Sequence, residues 1–461
     1  MSRTISECPS TPVSNTWPET QFVSRSYEIQ VVTPIFGGGV EPGQTDPITP
    51  VRGSSIRGHL RFWWRATRGA AFSSTERLRE REVEIWGNTD NPSPVLLTVE
   101  AVGSPARRDF ERFGPEAYAL FSAKQNGTVL CREGLKFRLV VRWPQEHVLQ
   151  TRRDRDNEQR RQRQLPVLPA RIDDITLDVE TALRAWLRFG GIGARTRRGC
   201  GGVHSASEEI QGPLALGSGM VVLVGRGCNT PVEAWRAAVK VYQEFRQSFR
   251  GPRHKKKLAS GKEASVPGRS YWPEPDSLRK LTGCSLKPAP GGPVTSDPPE
   301  VNTSDHSAPV VSSEVLPAFP RASLGLPIIF HFADGPGEKR PARSDRDPAA
   351  VELLPLILNE RGDEVAGTRM ASPVITRPVF YEGKWCPGLM LLHRPIELCA
   401  VLQGHRALWT GGGATDLNLR VNADQIANDH FSRLRPFNSS VSIWDAFISF
   451  AKKAGFKEAQ P

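Results

Sequence analysis

Two periodicities alternate along the first half of this chain, and their order restricts the folds open to it. YEIQVVT, from Tyr27 to Thr33, switches between apolar and polar residues with the period of two of a half-buried strand. From Ser54 the spacing lengthens to that of a helix, with Ser54 or Ser55 as N-cap and Gly69 near the end. Ile56, Leu60, Trp63 and Thr67 fall on one side of that helix, and Arg57, Arg61, Arg65 and Arg68 on another. PVLLTVEAV (94–102) and LKFRLVVRW (135–143) read as strands. DVETALRAWLRF (178–189) is a second helix, turning Val179, Leu183, Trp186 and Leu187 inward and pairing Glu180 with Arg184. A last strand near GVHSAS (202–207) completes the order βαββαβ.

That order predicts an α+β fold built on the ferredoxin-like (RRM-like) split unit. A chain of 461 residues exceeds what one hydrophobic core supports, so two domains are expected. With 20 Phe and 11 Trp there is ample material for both cores. Residues 1–22 are polar and Pro-rich and read as a flexible arm, 23–230 as the first domain, and 231–461 as the second. Within the second, a helix spans Val232 to Phe249, and a Pro/Ser-rich stretch at about 287–317 reads as a disordered insertion. Apolar segments resume at LGLPIIFHF, ASPVITRPVF and GLMLLHRPIELCAVL, before a closing helix at VSIWDAFISFAKKAG. The mixed-charge run TRRDRDNEQRRQRQ (151–164) fits a solvated loop or exposed helix better than a contact site.

Seven cysteines with no C-x-x-C spacing argue against zinc and against a disulfide framework, and fit a reducing compartment. The first residues lack the apolar core of a signal peptide, and no 18-residue apolar run occurs, so a cytoplasmic protein without membrane insertion is expected.

A net charge of +12, carried mostly by arginine, points to a polyanionic partner. Arg52 to Arg68 contains five arginines and no acidic residue in seventeen positions. Four of them recur at spacings of four, four and three on one helix, an arrangement that destabilises an isolated helix unless an anion or carboxylates of the fold neutralise it. Phe62, Trp63 and Trp64 could stack on bases, although at helical spacing Trp63 belongs to the core. GGIGARTRRGCGGV (190–203) combines six glycines with Arg195, Arg197 and Arg198. Gly191 and Gly193 would let backbone N–H groups approach phosphates there, and the arginines would supply charge. As a dinucleotide fingerprint it fails, because the third glycine is missing and the loop follows a helix. A third basic run, Arg253 to Lys257 with Lys255 and Lys256 within it and Lys262 and Arg269 close behind, is of the kind found in mobile tails and nonspecific nucleic-acid contacts.

Catalytic signatures are missing: there is no H-E-x-x-H, P-loop or G-x-S-x-G, nor carboxylates spaced for two metals, so no catalytic residue, cofactor or metal is assigned. His59, set in the basic helix, is the one candidate general base for metal-independent RNA cleavage. It lacks an identifiable partner, and the arginines would favour its neutral form.

TPIFGGG (33–39), SSIRGHLRFWWRA (54–66), GGIGARTRRGCGGV, GRSYWPEPDS (268–277), SLGLPIIF (323–330) and RMASPVITRPV (369–379) together resemble the repeat-associated (RAMP) superfamily of CRISPR proteins. Within it they resemble the first-subunit family of the Cmr module of type III-B effector complexes. The resemblance implies two ferredoxin-like RAMP domains in one chain and a non-catalytic role in antiviral defence. It also implies binding to the 3′ region of the guide RNA and the adjacent target RNA, beside other Cmr-module subunits, a neighbouring RAMP subunit above all. Arg52, Ser54, Arg57, Arg61, Arg65, Arg68, Gly191, Gly193, Arg195, Arg197, Arg198, Lys255, Lys256, Arg269 and Arg369 are the expected RNA contacts. The long insertion after Lys287 and the lack of RNP-type aromatics depart from that pattern. The competing expectation is a metal-independent RAMP endoribonuclease that processes guide precursors.

Overall fold

Phe22–Val31 forms strand β1 in the computed structural model, with Tyr27, Ile29 and Val31 buried and the intervening Ser26, Glu28 and Gln30 exposed. The structure describes residues 21–460 apart from 42, 102, 110–113, 122–128, 208–209, 211–213, 218, 248–253, 258–260, 262, 267–269, 271, 282–316, 331–350, 393–397, 405–417 and 428–441. The expected N-terminal arm (save its last two residues) and the expected insertion (save its last) lie outside the described residues.

Two units share the chain discontinuously. The first comprises Met1–Arg108, Leu130–Ala194 and Gly201–Gly217, and the second Asp109–Val129, Arg195–Cys200 and Ser218–Pro461. The second unit therefore begins ahead of residue 231, where sequence reading places it, and borrows two earlier segments.

In the first unit β1 is followed by helices α1 (Gly53–Ala66) and α2 (Thr75–Trp86), then β2 (Leu96–Ala101) and β3 (Lys136–Pro144). Helices α3 (Glu146–Gln162) and α4 (Thr176–Phe189) and strand β4 (Val203–His204) complete it. The sheet order is β2-β3-β1-β4, antiparallel throughout. Register opposes Tyr27 to Leu139 and Ile29 to Phe137, so the apolar residues of both strands share one face. Helices α1 and α4 pack together, burying Ile56, Leu60 and Trp63 of one and Val179, Leu183, Trp186 and Leu187 of the other. These are the inward residues that the 3.6-residue period picks out.

Helix α3 is the mixed-charge run of 151–164, extended by a turn. Its Asn157 both donates to the carbonyl of Leu168 (3.1 Å) and accepts from the Leu168 N–H (2.8 Å), and Arg153 donates to the carbonyl of Pro169 (3.0 Å). The buried side chains of this run thus tie down the segment that follows it.

The second unit contains β5 (Val221–Val224), α5 (Pro231–Gln247), α6 (Glu274–Leu281), β6 (Ile328–Phe330), β7 (Val351–Leu358) and β8 (Glu364–Ala366). It continues with β9 (Val374–Tyr381), β10 (Lys384–Leu391), β11 (Ala400–Gly404), β12 (Asn418–Val421), α7 (Ala423–Ala427), α8 (Ile443–Lys453) and β13 (Lys457–Glu458). One sheet runs β9-β10-β5-β13, antiparallel. Its four strands, taken in chain order, stand in the sequence second, third, first, fourth, the same as in the first unit. Tyr242 and Phe245 of α5 and Phe447 of α8 fill the core against Leu389 and Leu391 of β10. A further sheet, β6-β7-β11-β12 with β8 paired to β7, has its own core around Phe319, Leu353, Leu402 and Ile426. Its strands are drawn from the two connections that flank the β9–β10 hairpin.

Candidate nucleic-acid interface

The N-cap of helix α1 lies two residues ahead of Ser54, the earlier of the two serines expected to cap it. Arg52 is the N-cap in extended conformation with no side-chain cap bond, so Ser54 and Ser55 lie inside the first turn. The Arg52 guanidinium instead donates to the carbonyl of Gly38 in the TPIFGGG turn.

Along the helix the stripe is not left unneutralised. Glu82, buried on α2, accepts from Arg61 Nε at 2.7 Å and lies 3.1 Å from Arg65. Asp178, buried in the first turn of α4, takes Arg81 Nη2 at 2.7 Å, Trp64 Nε1 at 2.7 Å and Arg68 Nε at 3.5 Å. The alternative of neutralisation by the fold's own carboxylates therefore holds for three of the four helical arginines. Arg57 differs, since its Nη1 donates to the carbonyl of Val95 (2.9 Å) and burial, then Arg61, holds its guanidinium below the ordinary value.

Trp63 and Trp64 are both fully buried, which removes them as platforms for bases and corrects that expectation for Trp64. His59 is held down to about 4 by burial; the arginine stripe, named as the cause from sequence, is not what lowers it.

The glycine-rich loop is spent differently from its sequence reading. Ala194 N–H donates to the carbonyl of Phe36 (2.7 Å), Gly201 N–H to that of Pro34 (2.8 Å), and Gly202 N–H to Thr33 Oγ1 (2.7 Å). Gly193 has φ +79°, and a Cβ there would lie 2.8 Å from the Phe36 carbonyl oxygen. At Gly201 (φ +61°) a Cβ would lie 2.1 Å from the Ile192 carbonyl oxygen. Gly191 bridges to Gly202. These glycines let the loop lie against the TPIFGGG segment, and the N–H groups named are satisfied internally. Gly191 and Gly193, expected from sequence to open onto phosphate, lie against Gly202 and the Phe36 carbonyl, respectively.

The three arginines of the loop, by contrast, converge within the second unit. Arg195 sits in the left-handed region (φ +58°), and Thr196–Arg198 form a 3-10 turn closed by Gly199 at φ +81°. Arg195 Nη1 donates to the carbonyl of Ala119 (3.0 Å), and Arg198 Nη1 to those of Ala119 (3.2 Å) and Tyr118 (3.3 Å). Arg197 Nη1 donates to the carbonyl of Ser372 (2.9 Å). Trp235 Nε1 anchors the turn through the carbonyl of Arg198 (2.7 Å).

Burial is the first cause that lowers all three guanidinium groups. Arg195 is brought down to about 10, with Arg198 and Arg369 pushing the same way, and Arg369 lowers Arg197 and Arg198 too. Arg81 shows the opposite outcome: burial works against its charge, yet Asp178 and Glu84 outweigh it and raise the pKa. Arg81 is thus held by carboxylates, whereas the arginines of the loop carry their charge at a cost.

Of the remaining expected contacts, Arg369 is exposed just ahead of β9. Lys255 and Lys256 lie in an antiparallel ribbon, His254–Lys257 paired with Glu263–Val266, where sequence suggests a mobile tail. Arg269 lies outside the described residues. Sequence reading missed Arg246, whose Nη1 lies 3.4 Å from both Tyr242 Oη and the Leu324 carbonyl oxygen. Its signal was the spacing Trp235, Val239, Tyr242, Arg246, which sets a cation on the margin of the buried stripe of α5. Among the described residues no group of His, Cys, Asp and Glu is arranged to hold a metal ion, and no helix is long and apolar enough to cross a membrane.

Residues 28–204, from β1 through β4, match the family model of the RAMP superfamily. The chain is similar to the CRISPR system Cmr subunit Cmr1-1 of Pyrococcus furiosus, 28% identical over 176 residues, which are 36% of this chain and 44% of that protein. It is also similar to Cmr1-2 of the same organism, 31% identical over 75 residues, 16% of this chain and 38% of that one. The chain thus matches less than half the length of these curated relatives. The crystal structure of apo Cmr1 from Pyrococcus furiosus aligns with 95% of this chain and 98% of its own, at 17% identity and a TM-score of 0.44. A type III-B Cmr-beta complex bound to cognate target RNA aligns over 41% of this chain and 60% of its own, at 14% identity and a TM-score of 0.23.

Proposed function

We propose that this chain is a non-catalytic, cytoplasmic RNA-binding subunit of a type III-B CRISPR effector complex, holding the 3′ region of the guide RNA and the adjacent target RNA beside other Cmr-module subunits. Two ferredoxin-like RAMP units carry it, a reading supported by the shared second-third-first-fourth strand order of the two sheets. The observation that favours RNA is the loop turn, where burial and like charge together hold three successive arginines below their ordinary values. A phosphate would relieve that cost, and the arginine fork matches its geometry. Contacts of this kind read the backbone and leave sequence to guide pairing.

Fluorescence anisotropy of the full chain with two single-stranded RNAs of unrelated sequence tests the reading. Affinities within about threefold of each other are expected, with intact RNA recovered in EDTA. Absence of binding at low salt, or cleavage that vanishes on His59→Ala, would overturn it.

A further inference from the structure

We infer that Arg246, Arg197 and Arg198, with the hydroxyl pair Tyr242 and Ser372, form a pocket for a single phosphate group of RNA, an inference that rests on the RNA-binding reading above. All five belong to the second unit. Ala119 and Tyr118 hold Arg198 through their carbonyls, and Tyr118 stacks edge-on against Tyr242 with ring centroids 6.4 Å apart. The Tyr242 hydroxyl lies 2.9 Å from Ser372 Oγ, and the Ser372 carbonyl accepts from Arg197. Arg246 closes the set, its Nη1 3.4 Å from the Tyr242 oxygen and its guanidinium 5.8 Å above the Tyr242 ring. Three forks from two distant segments are therefore tied into one connected set of contacts.

The carboxylates of Glu116 and Glu274 each hold an arginine of their own, and Glu274 also favours the charge on Arg246. Glu116 takes Arg236 at 2.8 Å, and Glu274 takes Arg321 at 3.2 Å. Among the described residues neither Arg198 nor Arg246 has a carboxylate at ion-pair distance, and each uses only Nη1 in its hydrogen bonds. A guanidinium presents five donors, so both forks retain capacity for an oxyanion, and half-burial raises the value of that contact. The cations are focused on one network instead of spaced along a track, which suits one phosphate better than a run of them. The Tyr242 hydroxyl acts as a positioning group, placing Arg246 and, through Ser372, Arg197.

That phosphate is either a diester within the strand or a monoester at a chain end, and the same chemistry would hold both. The test is anisotropy of the full chain with internally labelled single-stranded RNA ending in hydroxyls, in a 5′-phosphate or in a 3′-phosphate. Wild type is compared with Arg246→Gln, Arg246→Lys, Tyr242→Phe and Arg197→Gln over a salt series. Arg246→Gln is expected to weaken binding about five- to tenfold and to reduce the salt slope by about 0.7, the value of one phosphate contact on a single strand. Arg246→Lys should fall between, keeping the charge without the fork, and supports the test if the Gln variant fails to fold. Tyr242→Phe, which keeps its ring in the core, should weaken binding about two- to threefold with little change in slope, as expected of a positioning group that carries no charge.

A tenfold preference for a phosphorylated end that Arg246→Gln abolishes identifies the chain end as the source. Equal affinities for the three RNAs, all weakened by Arg246→Gln, identify an internal diester. If both Arg246 variants and Tyr242→Phe bind as wild type does while Arg197→Gln weakens, the pocket is wrong and the RNA reading stands. If Arg197→Gln also binds unchanged, both fail.

Discussion

Asp178→Asn separates the arginines that hold the fold from those that carry function. The Asp178 carboxylate is 7% exposed and receives Arg81 and Trp64 at 2.7 Å each and Arg68 at 3.5 Å. Removing one partner of a buried ion pair costs about 3–5 kcal/mol. Here asparagine still offers an oxygen to Trp64, Arg81 keeps Glu84 at 3.2 Å, and Arg68 is 47% exposed and rehydrates. The loss should accordingly fall to about 2–3 kcal/mol, or roughly 5–10 °C in the transition of a unit of this size. Urea unfolding followed by tryptophan fluorescence measures it, with an unchanged m-value as the sign that only stability has moved. RNA affinity, measured well below the transition, should stay within twofold of wild type. A loss below about 0.5 kcal/mol, or a clear fall in affinity of the folded variant, would refute the division between structural and functional arginines.

Three further outcomes are expected. Gly201→Ala combines a positive φ with a Cβ set 2.1 Å from a backbone oxygen, so it should destabilise by at least about 3 kcal/mol, seen by calorimetry or as loss of soluble protein. Arg57→Gln removes a charge that burial and Arg61 disfavour, so stability should hold or rise by about 0.5 kcal/mol while RNA binding weakens; a fall in stability above 1 kcal/mol would count against it. His59, held down to about 4, stays neutral in the fold while the unfolded chain takes up a proton below about 6.5. Its contribution is thus present above pH 6.5 and drains away toward pH 4. Between pH 7 and pH 5 wild type should lose about 1–2 kcal/mol more than His59→Gln, and equal losses would contradict this.

Period was the most legible feature of the sequence. The strands at Phe22–Val31 and Lys136–Pro144 and the helix at Gly53–Ala66 expose one face and bury the other, and the helix at Thr176–Phe189 leaves only a half-buried polar stripe past its first turn, so alternation and helical spacing locate them to within a few residues. Helix α2 escaped because TERLREREVEIW is dominated by charge and buries only Glu82, Ile85 and Trp86. Its Glu82 is what neutralises Arg61 and Arg65, so missing the helix left the arginine stripe looking unpaired. Glycine was ambiguous for a related reason: the residue that lets a backbone approach a phosphate also lets it approach another backbone. Only the position of Phe36 and Pro34 decides between the two at Gly193 and Gly201. Arg246 and Tyr242 stand some fifty residues from the loop, and local pattern gives no hint that they meet it.

The most direct test of the account is the salt dependence of single-stranded RNA binding by wild type and by a variant with Arg195, Arg197 and Arg198 all changed to Gln, both confirmed folded by circular dichroism. Three phosphate contacts on a single strand account for about 2 units of slope in a plot of log K against log salt, so the variant's line should be shallower by that amount and cross to weaker affinity at low salt. Superimposable lines would show that the loop arginines serve the fold or a protein partner, and the proposed RNA site would be wrong.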